Sequence, residues 1–283
     1  MEYVTLSNGL KLPLLGYGVY QVPPDECERC VLDALEVGYR AFDTAQAYVN
    51  EAGVGAAVKK FGIPREEVFL TTKVWITNYG YDACRKSVEA SLKKLDTDYI
   101  DLMLLHQPFA DYYGAWRALE DLYDEGKLRS IGVSNFFPDR LVDLCSFCRI
   151  RPMVNQIELH PHHQRLEDME WMAKYGVQVE SWAPFGEGRG GLFEDPVLTG
   201  IGAKYGKSAA QVMLRWQLQK GIMLIPKSSR RERMAQNFDI FDFALSDEDM
   251  AQIAGMDKKT SSFFSHDDPR IVEMLAGWDP LPE

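Results

Sequence analysis

Four residues carry the chemistry that the sequence suggests most strongly: Asp43, Tyr48, Lys73 and His106. They supply a carboxylate, a phenol, an ammonium and an imidazole. An ordinary phenol, with a pKa of about 10, is a poor proton donor near neutrality. A neighbouring ammonium favours the phenolate and lowers that value, and a carboxylate beside the ammonium keeps it charged and oriented. An imidazole N–H can hold the oxygen of a carbonyl substrate. Such a set forms a general acid able to protonate an alkoxide as it develops. No side chain delivers a hydride to the carbonyl carbon, so a nicotinamide cofactor is expected.

The elements that must position these groups are legible as alternating patterns. Short apolar runs at residues 14–18, 40–43, 68–72, 100–105, 130–133, 153–156, 178–181 and 223–225 read as strands. Amphipathic stretches at 23–36, 51–61, 82–94, 112–125, 139–147, 165–175, 209–220 and 231–238 read as helices. Eight strand-then-helix units in this length predict an α/β fold with a parallel sheet, the (β/α)8 TIM barrel. Ahead of them, Ser7-Asn8-Gly9 between two short β-like runs predicts an N-terminal β-hairpin capping the barrel bottom. No linker divides the chain, so residues 1–283 read as one domain. In a barrel the chemistry gathers at the C-terminal strand ends. Those ends deliver Asp43, Lys73, His106, Ser134-Asn135, Asn155-Gln156, Trp182 and Lys227-Ser228.

Composition removes several other classes. With 31 Lys+Arg against 42 Asp+Glu, the net charge of −11 speaks against nucleic acid as a partner. No apolar run is long enough to span a membrane, and residues 1–5 do not resemble a secretory leader, so a cytoplasmic enzyme is expected. No long apolar surface stripe is evident, which favours a monomer.

Two segments compete as the cofactor's phosphate site. Gly186-Glu187-Gly188-Arg189-Gly190-Gly191 matches G-x-G-x-x-G, but it runs into Leu192-Phe193-Glu194-Asp195-Pro196 rather than opening a helix. The dinucleotide fingerprint needs strand, tight turn and helix together. Residues 186–202 read instead as a candidate mobile loop. The stretch from Ile225 to Arg233 follows a strand and starts a helix, with Ser available as N-cap and four cations, Lys227, Arg230, Arg231 and Arg233, in seven residues. Such a cationic excess in an acidic protein suits a 2′-phosphate, hence NADP(H).

Other features have plain explanations. The pairs Cys27/Cys30 and Cys145/Cys148 lie far apart in helical stretches and read as reduced thiols rather than a zinc site. His160-Pro161-His162-His163 lacks nearby metal-ligand partners and reads as a loop, so no metal is expected. Trp116, Trp171 and Trp216, and Met213, Met223 and Met234, read as packing residues.

Taken together, these segments resemble the aldo-keto reductases, closest to bacterial-type members with short C-terminal tails such as the diketogluconate and glyoxal reductases. The resemblance rests on Gly38-Tyr39-Arg40-Ala41-Phe42-Asp43-Thr44-Ala45 continuing through Tyr48, Asn50 and Glu51 to Gly55, on Leu104-Leu105-His106, on Gly132-Val133-Ser134-Asn135-Phe136 and on Ile225-Pro226-Lys227-Ser228. It implies Tyr48 as proton donor, Lys73 lowering its pKa, Asp43 pairing with Lys73, and His106 orienting the carbonyl. It implies Ser134, Asn135 and Gln156 on the nicotinamide carboxamide and Trp182 stacked on the ring, with Pro184 nearby. Lys227, Ser228, Ser229, Arg233, Gln236 and Asn237 would hold the adenosine half and its 2′-phosphate. Gly18, Val19 and Tyr20 would line the site, and Tyr20, Trp75 and Gln107 would meet substrate. Gln107 stands where many members have Trp, which makes one pocket wall polar. Gln236 stands where a Glu commonly contacts adenine. The tail, residues 262–283, reads as mobile, with Trp278 as a candidate lid residue.

The function so implied is NADPH-dependent reduction of a small aldehyde, ketone or keto-sugar. Two rivals remain at this stage: a barrel enzyme that forms a Schiff base on Lys73, and a protein that keeps barrel and cofactor without turnover.

Overall fold

The computed structural model describes residues 1–280. An antiparallel hairpin, β1 (Tyr3–Thr5) and β2 (Lys11–Pro13), opens the chain. Gly9 in its turn adopts φ +88°, a conformation that costs glycine little. Eight parallel strands follow: β3 (Tyr17–Gly18), β4 (Ala41–Asp43), β5 (Phe69–Val74), β6 (Leu102–Leu105), β7 (Ile131–Ser134), β8 (Val154–Glu158), β9 (Gln178–Trp182) and β10 (Met223–Leu224). Each pairs with its sequence neighbour. Leu15 bridges Leu224 in parallel and the Gly16 N–H donates to the Leu224 carbonyl at 2.8 Å, so the first strand region closes on the last. The fold is a (β/α)8 barrel. The hairpin covers its floor: Leu6 and Leu12 are buried, and Asn8 Nδ2 donates to the Arg129 carbonyl just ahead of β7.

The helices are α1 (Pro24–Val37), α2 (Glu51–Phe61), α3 (Tyr81–Leu95), α4 (Tyr112–Asp124), α5 (Pro138–Phe147), α6 (Leu166–Tyr175), α7 (Pro196–Tyr205), α8 (Ala209–Gln219), α9 (Arg231–Phe238), α10 (Asp247–Ala254) and α11 (Pro269–Ala276). Their burial follows the helical period. On α3 the buried side chains are Cys84, Ser87, Val88, Ser91, Leu92 and Leu95, one stripe along one face. Each of its large apolar residues contributes roughly 1.5–3 kcal/mol on burial. Close approach of strands also constrains residue size: a Cβ on Gly132 would lie 2.5 Å from the Val154 carbonyl oxygen and 2.7 Å from a Leu104 methyl.

Residues 186–202 are not one loop. The glycine run is a series of tight turns with positive φ at Gly186, Glu187, Gly188, Gly190 and Gly191. Asp195 then caps α7, accepting from the Val197 N–H at 2.9 Å, with Pro196 as first helical residue. The expected Ser cap on α9 is also corrected. Arg230 holds the N-cap position without a side-chain cap, and Ser228 Oγ accepts from the Arg230 N–H instead. The tail folds into α11, and residues 281–283 of the expected mobile segment lie outside those described. Trp116 and Trp216 are buried as expected, whereas Trp171 is only half-buried beneath Lys174.

Candidate active site

Asp43 ends β4, Lys73 lies in β5, and His106 follows β6, so three adjacent strands aim a carboxylate, an ammonium and an imidazole at one rim. Tyr48 reaches the same place from a single 3-10 turn, residues Gln46–Tyr48, which a left-handed Val49 ends. Neighbours fix that turn. Thr44 Oγ1 donates to Asn50 Oδ1 at 2.7 Å, and Asn50 Nδ2 donates to the Val19 and Val22 carbonyls. Gln46 Oε1 accepts from the Trp75 N–H at 3.0 Å.

At the centre, Lys73 Nζ donates to Asp43 Oδ1 at 2.5 Å, the Thr44 carbonyl at 3.0 Å and Tyr48 Oη at 3.4 Å. Lys73 and Asp43 are buried. Burial by itself would strip the Lys73 proton; the Asp43 carboxylate and the Tyr48 phenol outweigh it and hold the ammonium above its ordinary range. Burial pushes the Asp43 carboxyl up, and Lys73 and Gln156 offset only part of that. Tyr48 is pushed up to about 12 by burial, with Lys73 pulling it down and Asp43 pushing it further up. The sequence-based expectation of a net lowering is therefore met only in the sign of the Lys73 contribution. Desolvation of the phenol is the larger effect.

His106 is held well below its ordinary value by burial, then by Lys73 and His266, so its imidazole is neutral. Its Nδ1 is buried without a partner. A neutral ring carries one proton, and placing that proton on Nε2 avoids burying an unpartnered N–H donor. The ring stands edge-on to Tyr48 at 5.7 Å and to Trp75 at 5.2 Å. Tyr20, half exposed, lies 5.0 Å from the Tyr48 ring. Trp75 is buried under the tail: its Nε1 donates to the Trp278 carbonyl at 3.3 Å and its ring meets that of Trp278 at 5.0 Å.

The next strands bring Ser134, Asn135, Gln156 and Trp182 to the same rim. Trp182 Nε1 donates to Asn135 Oδ1 at 2.9 Å, and Asn135 Nδ2 reaches the His106 carbonyl at 3.0 Å and Ser134 Oγ at 3.1 Å. Ser134 Oγ donates to the Gln156 carbonyl. Gln107 is buried with Oε1 turned toward Asn135 at 3.4 Å, so much of its expected polar wall is already engaged. Pro184 is buried beside them, its carbonyl accepting from Gln217. Gly18 and Val19 lie at the barrel's closing seam; a Cβ on Gly18 would meet the Ile225 carbonyl at 2.8 Å.

Beyond β10, Lys227, Ser229, Arg230, Arg233 and Gln236 are exposed, while Ser228 and Asn237 are buried. Arg233, Gln236 and Asn237 share one face of α9. Arg231 is engaged by Glu36 at 2.5 Å. Between the loop after β6 and the tail lies a cavity of about 400 Å³, whose walls include Phe109, Asn135, Arg140, His266 and Asp267.

Three participants escaped the sequence reading. Glu180 of β9 is buried beside Gln156, although an acid inside a stretch read as a buried strand was a usable signal. Glu158 binds the tail through the Ser261 hydroxyl at 2.6 Å and the Ser262 N–H at 2.8 Å, and also meets His160 Nε2 at 3.0 Å. The histidine run does therefore have a carboxylate beside it, used in a hydrogen-bonded corner. Phe263 follows, 5.2 Å from the Trp182 ring and beneath Arg189. Nothing in the tail's sequence announced these long-range contacts.

Comparison with known proteins agrees with the barrel fold. The profile described as "Aldo/keto reductase family" matches residues 14–258, and the chain belongs to that family. It is 46% identical over 259 residues to a glyoxal reductase of Bacillus subtilis, covering 91% of this chain and 93% of that protein. It is 43% identical over 258 residues to methylglyoxal reductase DkgA of Escherichia coli, covering 90% and 93%. The crystal structure of a Bombyx mori aldo-keto reductase in complex with NADP superposes with a TM-score of 0.89 at 33% identity, covering 100% of this chain and 99% of that one.

Proposed function

We propose that this protein reduces a small aldehyde or ketone, a 2-oxoaldehyde being the first candidate, to the alcohol with NADPH, and that Tyr48 is the general acid. The observation that carries the reading is the contact of Lys73 Nζ with Tyr48 Oη at 3.4 Å on one side and Asp43 Oδ1 at 2.5 Å on the other. A small 2-oxoaldehyde fits the names of the glyoxal and methylglyoxal reductases.

The donor set suits a nicotinamide dinucleotide. Both Gln156 amide hydrogens are spent on the carboxyl oxygens of Asp43 and Glu180, which leaves its oxygen to accept from a carboxamide. The Trp182 indole is pinned by Asn135, and Lys227, Arg230 and Arg233 suit a 2′-phosphate. When bound, the nicotinamide supplies the hydride to the carbonyl carbon. The neutral His106 donates from Nε2 to the carbonyl oxygen and orients it. Tyr48 Oη releases its proton to that oxygen as negative charge develops, and Lys73 stabilises the phenolate left behind. Even a phenol raised to about 12 is a far stronger acid than an alcohol, so the transfer runs downhill. Asp43 keeps Lys73 charged throughout. A Schiff base on Lys73 would require a reachable neutral amine, and Nζ is buried among three oxygens.

The test is NADPH oxidation with methylglyoxal as substrate. Tyr48→Phe is expected to lose about 100-fold or more in kcat with NADPH affinity retained; equal rates for both proteins would remove the phenol from the mechanism.

A further inference from the structure

At this rim, two buried carboxyl groups, Asp43 and Glu180, share one buried cation, Lys73. Glu180 is fully buried in β9, and the parallel register sets it beside Gln156 of β8. Gln156 Nε2 donates to Glu180 Oε1 at 2.8 Å and to Asp43 Oδ2 at 2.9 Å. One amide therefore joins two acids, and its oxygen is the only hydrogen-bonding atom it has left for a ligand. Lys73 is spent on Asp43, Thr44 and Tyr48. Glu180 Oε2 is buried with no partner at all. The groups facing Glu180 are Gln156 from β8, Asp43 from β4 and Lys73 from β5, with Met223 registered beside it on β10.

An ionised Glu180 would leave a net negative charge inside the barrel and an unsolvated oxygen without a donor. A carboxylic acid avoids the charge. We propose, building on the carbonyl-reductase reading above, that Glu180 is a positioning residue that works in its protonated form. It fixes the Gln156 amide so that the amide oxygen meets the nicotinamide carboxamide. By staying uncharged, it leaves the Lys73 charge to Asp43 and Tyr48. When Glu180 gives its proton to solvent, a second negative charge faces Lys73, the Tyr48 phenolate is disfavoured, and the acid weakens. Burial, followed by the Asp43 charge, pushes the Glu180 carboxyl up to about 8 against Lys73 and Gln156, which puts that loss on the alkaline side.

Glu180→Gln keeps the acceptor for Gln156 and removes the titration. Its alkaline loss of kcat is expected to move up by about one pH unit or more, with kcat near pH 6 within about threefold of wild type. The folded protein's reluctance to release this proton also predicts a melting signature that needs no turnover. Wild type should lose stability relative to E180Q as pH rises from about 5 to about 9. An alkaline limb that superposes on wild type overturns the proposal, as does a melting difference that stays flat with pH. So does an E180Q protein that folds and binds NADPH yet is inactive at every pH. Failure of the functional reading is separate: wild type would then reduce no carbonyl. If E180Q does not fold, infrared spectra of wild type carrying ¹³C-labelled Glu decide. A protonated-carboxyl band present near pH 6 and lost by about pH 9 supports the proposal, and its absence near pH 6 overturns it.

Discussion

Lys73 has three oxygen neighbours with three different demands: Asp43 wants a full charge, Thr44 a donor, and Tyr48 a cation near its oxygen. Burial makes that contest matter, because in a low dielectric an ammonium 3.4 Å from a phenol oxygen acts strongly on it. His106 faces the opposite choice. With Lys73 nearby and water removed, the imidazolium is the disfavoured form. NMR of the His106 ring should therefore show a neutral imidazole protonated at Nε2 from about pH 8 down to about pH 5.5, well past the ordinary histidine midpoint of about 6.5. A midpoint near that ordinary value, or a proton on Nδ1, would contradict the assigned donor. Asp43, Lys73 and His106 could be read from the sequence because each is a polar group at or next to a strand end, and Tyr48 because it follows Asp43 by five residues. Glu180 could not be placed in the same way. Its meaning depends on a hydrogen bond through Gln156 to Asp43, and 113 residues separate those two in the chain.

At the scale of elements, the barrel was legible because most strands centre on short apolar runs and helices such as α3 carry an apolar stripe. The extra helix α7, ahead of α8 between β9 and β10, was not. The glycine-rich run ahead of α7 drew the whole segment into a loop, although Asp195-Pro196 is a sound helix start. The tail was opaque for a different reason: what holds it is Glu158, Trp182 and Trp75, all distant in sequence. Strand spacing sets the sharpest test here. In Gly132→Ala the new methyl must push against the Val154 carbonyl and Leu104. It should cost about 1–3 kcal/mol in urea unfolding, with a further loss of activity because Ser134 and Asn135 stand two and three residues on. An unfolding midpoint equal to wild type would show that β7 and β8 have room to separate.

Across the whole molecule, buried ionisable groups set the response to pH. His106, His162, His163 and His266 all have their pKa values lowered chiefly by burial, His266 to about 4. The unfolded chain takes up protons near pH 6.5 that the fold refuses, so stability falls as pH drops below that value. His266 alone accounts for roughly 3 kcal/mol by about pH 4. Glu180 acts with the opposite sign: the fold keeps a proton that the unfolded chain releases, so stability also declines as pH rises toward about 8. Thermal melts should therefore peak between these limbs, at about pH 6.5; a stability that climbs steadily from about pH 5 to 9 would contradict the burial of these groups. The central claim concerns a smaller region, the ammonium beside the phenol. Its most direct measurement is single-turnover oxidation of bound NADPH by methylglyoxal in wild type and in Asp43→Asn/Lys73→Met, which strands no buried charge. The expected result is a fall of about 100-fold or more in the rate with NADPH affinity within a few-fold of wild type, and a rate equal to wild type would contradict it.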